Sequence, residues 1–492
     1  MAAYPCLVLQ KDGLSLLDAL PAAVPAVDVP GVQESFFIHD GADVLVLTPA
    51  GVSIINVATR ATTPVVAMRN ITRIALSPRE RFVSVFQSPE TVVVAGENGP
   101  VRQQTAQEKN VFVFELAAPH RQLFATFQKN VVWPCVTFSV DETVMAHLHT
   151  GLTFYDVSAD EIKRAPKQFS SLKPSRIAFA RNPELPRRFA VFTKPTKDMP
   201  ASVKVYDYPV FTRVVNSTSF FGASQVDLVW SPAANVVLAK LFSEVDKTNQ
   251  NYYGESSLQI LCGAESALNI SHPQLDIHET VFDAAGKRLV VISGSMPATL
   301  QVYEITARGK LTLVKELARQ SRNEAKFSPN GQFLAVGGFG NLPGELDIYE
   351  TERWRLVAQF TNQCTTEWWW THDSKAIVFG SCMPRRHFEN YIRVGFVSGE
   401  TAPSVDFDNK LFHVFLRPLP VVHEPVPFTV CKAKREEVET AYVPPSLRAG
   451  AQVVADDDPI PAAPKKKAKT AKQAKKAKKA KKGKQPAEPD DA

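Results

Sequence analysis

The chain has 492 residues, 45% of them hydrophobic and 22% charged, which is enough apolar side chain to bury a core and excludes a protein disordered throughout. No run approaches ~18 consecutive apolar residues, and Met1–Gly13 has no basic region leading into a long apolar stretch, so neither a transmembrane helix nor a secretory leader is expected. The net charge of +6 resides in residues 451–492, with 12 Lys against 6 acids, while the preceding 450 residues balance 44 basic side chains with 44 acidic ones.

Along the chain, short strands are expected over Tyr4–Leu9 and Gly13–Leu17, followed by a recurring unit. Each unit has an apolar anchor closing a strand, a turn containing Ser, Pro, Asp or Gly, and then a β-rich run. The anchors are Phe37, Leu76, Phe138, Phe179, Trp230, Phe282, Phe327, Trp370 and Leu416, spaced by 39, 62, 41, 51, 52, 45, 43 and 46 residues. Later in the units an aromatic precedes an acid, as in Phe114-Glu115, Tyr155-Asp156, Tyr206-Asp207, Tyr303-Glu304 and Tyr349-Glu350. This period and pattern describe a four-stranded propeller blade of the WD-repeat kind, and long amphipathic helices are absent.

The fold class is therefore all-β, a WD-repeat-like β-propeller over residues 4–430 whose anchors count nine blades, or eight if the two weakest, Phe37 and Leu416, are set aside, with the two N-terminal strands completing the last blade. The long second interval holds a polar stretch, 97–110, read as a surface loop. Residues 431–450, with Pro444-Pro445, read as an extended linker, and 451–492 as a disordered Lys-rich tail.

No catalytic residue, cofactor site or metal site is assigned. The chain lacks the G-x-x-x-x-G-K-[ST] phosphate loop and the G-x-S-x-G nucleophile elbow. Gly337-Gly338-Phe339-Gly340 with Gly344 has the wrong spacing and no following helix for a dinucleotide loop. His147 and His149 share a strand face, where packing is favoured over metal binding; Trp368, Trp369 and Trp370 read as core rather than as a base-stacking platform. Six widely spaced cysteines without a C-x-x-C pair fit a reducing compartment.

Three segments carry binding chemistry. The polar, aromatic loop Glu244–Glu255 offers Lys247, Tyr252 and Tyr253 as candidate partner contacts, and a basic loop offers Arg385 and Arg386. The strongest signal is Lys465, Lys466, Lys467, Lys469, Lys472, Lys475, Lys476, Lys478, Lys479, Lys481, Lys482 and Lys484. Twelve ammonium groups without arginine predict point-charge contact with phosphates, giving RNA affinity without sequence specificity.

The segments SEVDKTNQNYYGESSL (243–258), FSPNGQFLAVGGFGNLPGELDIYE (327–350), VKVYDYPVF (203–211) and AYVPPSLR (441–448) resemble the eukaryotic translation initiation factor 2A family, the single-chain WD-repeat initiation factors. The resemblance implies a nine-bladed propeller, a non-enzymatic role in translation initiation, and binding to the small ribosomal subunit through rRNA and ribosomal proteins. It further implies GTP-independent binding of initiator methionyl-tRNA on selected mRNAs, by a cytoplasmic monomer with no membrane partner. Family members continue beyond the basic region to a helical region, whereas this chain ends after the lysine run. Subunit b of initiation factor three has an RNA-recognition domain ahead of its propeller, for which a first strand near Tyr4 leaves no room. The alternative reading is a WD-type scaffold in ribosome assembly or RNA processing.

Overall fold

Runs such as FVSVFQ, RFAVFT and RLVVIS are rich in β-branched and aromatic residues and end at turn-forming ones. Each forms one strand, at Phe82–Gln87, Arg188–Thr193 and Arg288–Ser293. A computed structural model describes residues 4–431 except 21–22, 97–98, 105–107, 130–131, 167, 170–173, 198, 222, 244–254, 263–269, 272–275, 384, 388 and 409. In it such strands build nine four-stranded antiparallel sheets, the blades of a propeller. Numbered from Glu34, blades 1 to 8 each use four strands in chain order, a to d, and blade 9 joins the two ends of the propeller.

All nine anchors fall at or beside the last residue of a strand a. The a strands of blades 3 and 4, 4 and 5, and 6 and 7 lie against one another, which places strand a nearest the axis. The residue after the anchor explains the recurrence. The Oγ of Ser77 accepts the Phe82 backbone N–H at 2.9 Å. Ser139 does the same for Val144 at 3.1 Å, Ser231 for Val236 at 3.0 Å, Ser328 for Phe333 at 2.9 Å and Thr371 for Ala376 at 3.1 Å. The hydroxyl thus supplies an acceptor to a buried donor at the a–b turn, where an unmade hydrogen bond is costly. The aromatic–acid dipeptides end strand c. Glu350 accepts the backbone N–H groups of Glu352, Arg353 and Arg355 and pins its c–d turn.

The core lies between blades. Phe333, Ala335 and Ile348 of blade 7 pack with Trp368, Ile377 and Phe379 of blade 8, so both faces of each sheet are covered and strands b and c are apolar on both sides.

Blade 9 closes the ring. Cys6–Gln10 pairs with Leu411–Leu416, opposing Cys6 to Leu416 and Val8 to Val414, and on its other edge with Gly13–Leu17. The N-terminal segment therefore supplies strands b, c and d to a C-terminal strand a, as the sequence predicts.

Because strands alternate in direction, all b–c and d–a connections emerge at one end of the propeller, here the upper face. The a–b and c–d turns form the lower face. Two features differ from the sequence reading. Part of the predicted 97–110 loop is instead a hairpin, Thr91–Gly96 with Gly99–Gln104, inserted between strands b and c of blade 2. Residues 417–431 form no strand but a strap along the lower face. The Val422 N–H bonds to the His372 carbonyl of blade 8. Val426 exchanges two hydrogen bonds with Gln332 of blade 7, at 2.8 and 2.9 Å, and the Cys431 N–H reaches the Leu356 carbonyl. Phe428 packs edge-on to Phe333.

Leu7 is fully buried in the closing strand, so Leu7→Ala is expected to cost about 2–5 kcal/mol in chemical denaturation. Ser328→Ala leaves the Phe333 N–H without its hydroxyl acceptor and is expected to cost about 1–3 kcal/mol in the same measurement.

Candidate nucleic-acid interface

Arg385 and Arg386 lie in the upper-face loop joining strands b (Ala376–Ser381) and c (Asn390–Phe396) of blade 8. The loop is anchored from below. The Arg386 N–H bonds to the Cys382 carbonyl, and the Arg386 carbonyl accepts Asn390 Nδ2, whose side-chain oxygen accepts the Leu411 N–H. Opposite stand the b–c turn of blade 7 and the crossover from blade 7 to 8. Together they enclose an open, mainly polar cavity of about 330 Å³ lined by Asn341, Gln363, Thr365, Arg385 and Arg386. Arg386 faces Glu389 at 3.7 Å and the Cys364 sulfur. Arg385 is exposed and has no ion pair among the described residues. Its guanidinium lies so close to Gly340, at φ +82°, that a Cβ there would overlap it. The glycine run therefore serves backbone packing: Gly344, at φ +84°, meets the Asn362 carbonyl in the same way.

The other sequence candidates resolve into packing. His147 is buried, bonds to Gln128 through Nε2 at 2.7 Å and meets the Phe124 ring edge-on. His149 bonds to Thr153 Oγ1 at 2.8 Å, and among the described residues no group of three or more His, Cys, Asp or Glu is placed to hold a metal ion. Trp368 is fully buried, donating from Nε1 to Glu324 at 2.8 Å, and Trp370 donates to the Lys326 carbonyl at 3.0 Å. Cys6, Cys135 and Cys382 are buried free thiols, pushed up to about 12, 11 and 12 by burial. Among the described residues no helix is long and apolar enough to cross a membrane.

Sequence reasoning missed the charged lining of the axis. Strands a contribute Glu34, Arg73, Arg176, Asp227, Glu279, Glu324, Lys326, Glu367 and His413. Lys326 Nζ lies 4.5 Å over the Trp368 ring and donates to the Trp368 carbonyl. Burial lowers its pKa and raises that of Glu279, while the bond to Glu367, 2.8 Å from His413 Nδ1, raises the imidazole. A cavity of about 600 Å³ opens beside Glu34, Arg73 and His413. Lys326, Glu367 and His413 are engaged with neighbours inside the channel. The signal was a polar residue at alternate positions of strands otherwise apolar.

Lys247, Tyr252 and Tyr253 lie outside the described residues, although the flanking strands Val236–Ser243 and Glu255–Cys262 place both ends of their loop on the upper face. The twelve tail lysines, Lys465 to Lys484, also lie outside them.

The nine four-stranded sheets define a propeller of the WD type. Comparisons with known proteins show what the chain is similar to. Residues 218–414 match the family model described as eukaryotic translation initiation factor eIF2A. A eukaryotic translation initiation factor 2A from Dictyostelium discoideum is 24% identical over 399 residues, covering 77% of this chain and 60% of that protein. One from Schizosaccharomyces pombe is 26% identical over 359 residues, covering 72% and 58% respectively. The chain thus spans about 60% of the length of these curated relatives. A solved structure described as a eukaryotic initiation factor superposes with a TM-score of 0.69 at 20% identity, covering 86% of this chain and all of that one, which establishes the shared fold. The chain's resemblance to the eukaryotic translation initiation factor 2A family therefore holds in sequence over most of its length.

Burial, with the neighbouring His149 charge, pushes the His147 imidazole down to about 4. The unfolded chain takes up this proton near pH 6.5 and the folded one only near 4. Stability is therefore full above about 6.5 and falls as pH drops toward 4, by about 3 kcal/mol. His147→Gln is expected to flatten this part of the acid limb when denaturation midpoints are measured from pH 7 to 4.

Proposed function

We propose that the chain is a non-enzymatic, cytoplasmic translation initiation factor that binds the small ribosomal subunit and promotes GTP-independent binding of initiator methionyl-tRNA on selected mRNAs. The observation that carries this reading is the likeness to eukaryotic translation initiation factor 2A proteins over 72–77% of the chain. The partition of charge supports it: residues 1–450 are balanced and 451–492 carry the whole excess of +6. In this reading residues 4–430 are a rigid interaction platform and 431–450 a linker. The lysines Lys465, Lys466, Lys467, Lys469, Lys472, Lys475, Lys476, Lys478, Lys479, Lys481, Lys482 and Lys484 grip ribosomal RNA through its phosphates. Lys247, Tyr252, Tyr253, Arg385 and Arg386 supply upper-face contacts to a second partner, and the protein acts as a monomer.

The test is binding of the full chain and of residues 1–450 to purified small subunits across a salt series. If about half of the twelve lysines meet phosphate, the full chain has a log–log slope on the order of −4 and the truncated chain loses most of its affinity. Equal affinity and a shallow slope for the truncated chain would overturn the role of the lysines. Absence of small-subunit binding by either would overturn the reading as a whole.

A further inference from the structure

The two faces of the propeller are unequal in what they leave available. The lower face of blades 7 and 8 is covered by the chain's own strap, 417–431. On the upper face, blades 2 to 4 expose large apolar side chains beside uncommitted cations. Phe221, in the crossover from blade 4 to blade 5, is 86% exposed. It follows Phe220, which pairs with Ala201 and stacks on Phe192, so the crossover turns Phe221 outward instead of continuing into the core. That same pairing sets Phe221 at the blade end where the b–c loop brings Met199, 49% exposed. In the crossover from blade 2 to blade 3, Phe127 is 52% and Val132 49% exposed.

Lys129, Lys194 and Lys197 are exposed in these loops and have no hydrogen-bond or ion-pair partner among the described residues. Among the described residues of the connections 127–135, 149–151, 165–173, 194–200 and 221–224 the Lys, Arg, Asp and Glu side chains are Lys129, Lys194 and Lys197, while the described ends of the b–c connection of blade 2 carry Glu90 and Glu108 with Lys109. The body of the protein is neutral as a whole, so these three lysines are a local excess beside blades 3 and 4.

We infer that the upper face of blades 2 to 4 binds single-stranded RNA, with Phe221 and Phe127 stacking on unpaired bases and Lys129, Lys194 and Lys197 meeting the backbone. Aromatic platforms flanked by cations recognise single strands because every base has a π-face, whereas paired bases present none. Exposed rings without lysines would suit an apolar protein surface, and lysines without rings would suit duplex or strand alike. The combination selects the single strand. The inference rests on the initiation-factor reading only for the source of the RNA.

The probe is a fluorescein-labelled 12-nucleotide oligouridine, with a duplex of equal length as control, titrated by anisotropy against the full chain. Phe221→Ala is expected to weaken single-strand binding about 5- to 150-fold with the salt slope unchanged. Lys194→Gln with Lys197→Gln is expected to make the slope shallower by about 1.4. Phe221→Tyr retains a stacking ring and should restore affinity. Oligouridine carrying 5-iodouridine should photocrosslink to peptides containing Phe221 or Phe127. At 86% exposure Phe221→Ala should leave the thermal midpoint in place, separating lost contact from lost fold. Crosslinks confined to 451–492 with Phe221→Ala unimpaired would overturn the patch and leave the proposed function standing. Loss of small-subunit binding in Phe221→Ala with oligouridine binding intact would assign the patch to a protein and also overturn the inference. Failure of the unaltered chain to bind either RNA or small subunits would overturn both readings.

Discussion

Every blade depends on one antiparallel ladder, in which Cys6–Gln10 lies between Leu411–Leu416 and Gly13–Leu17. A propeller is a sheet stack bent into a circle, and without this ladder two strand edges would stand open to pair with other chains. Each blade buries its faces against the next, so the interblade clusters are continuous around the ring only while the circle is shut. The cysteine, leucine and valine side chains of the closing strand are all buried, and the chain entropy given up in joining its two ends is offset there.

Within that ring, charge is sorted by location. The axis is lined with carboxylates, Lys326 and His413 that hydrogen-bond to one another or to neighbouring rings and carbonyls. Between blades 2 and 3, 4 and 5, and 7 and 8, indole N–H groups cross to acceptors on the neighbouring strand a, as at Trp368 and Trp370. What remains for recognition is at the upper rim, where Arg385 stands over Gly340 and Lys129, Lys194 and Lys197 have no ion pair among the described residues. Interior polarity thus specifies the shape of the platform, while rim polarity is left for partners.

The blade count was legible because local necessities recur in most repeats: in five a hydroxyl one residue past the anchor satisfies a buried N–H, and in five an acid follows a strand c aromatic, with Glu350 collecting turn N–H groups. Both act within a few residues, so they survive as sequence pattern. The inserted hairpin left a weaker trace, because the run GPVRQQ of its second strand has few of the β-branched and aromatic residues that mark a strand in sequence. The strap RPLPVVHEPVPFTVC has no periodicity at all; its course is set by Gln332 and Phe333, about ninety residues earlier in the chain. Exposure of Phe221 was illegible for a related reason. Alternation ends with its strand, and only the crossover decides whether the next side chain turns in or out.

The strap also separates two mechanical roles. Were the chain to leave the propeller directly from Leu416, any load on the segment beyond it would fall on the ladder that shuts the ring. Instead the backbone doubles back across blades 8 and 7, held by Val422, Val426, Phe428 and Cys431 in series. Tension from whatever the later residues grasp is spent peeling those few attachments one at a time, and blade 9 feels none of it until the last has gone. The strap is a strain relief, like the knot that keeps a pull on a cable from reaching its plug.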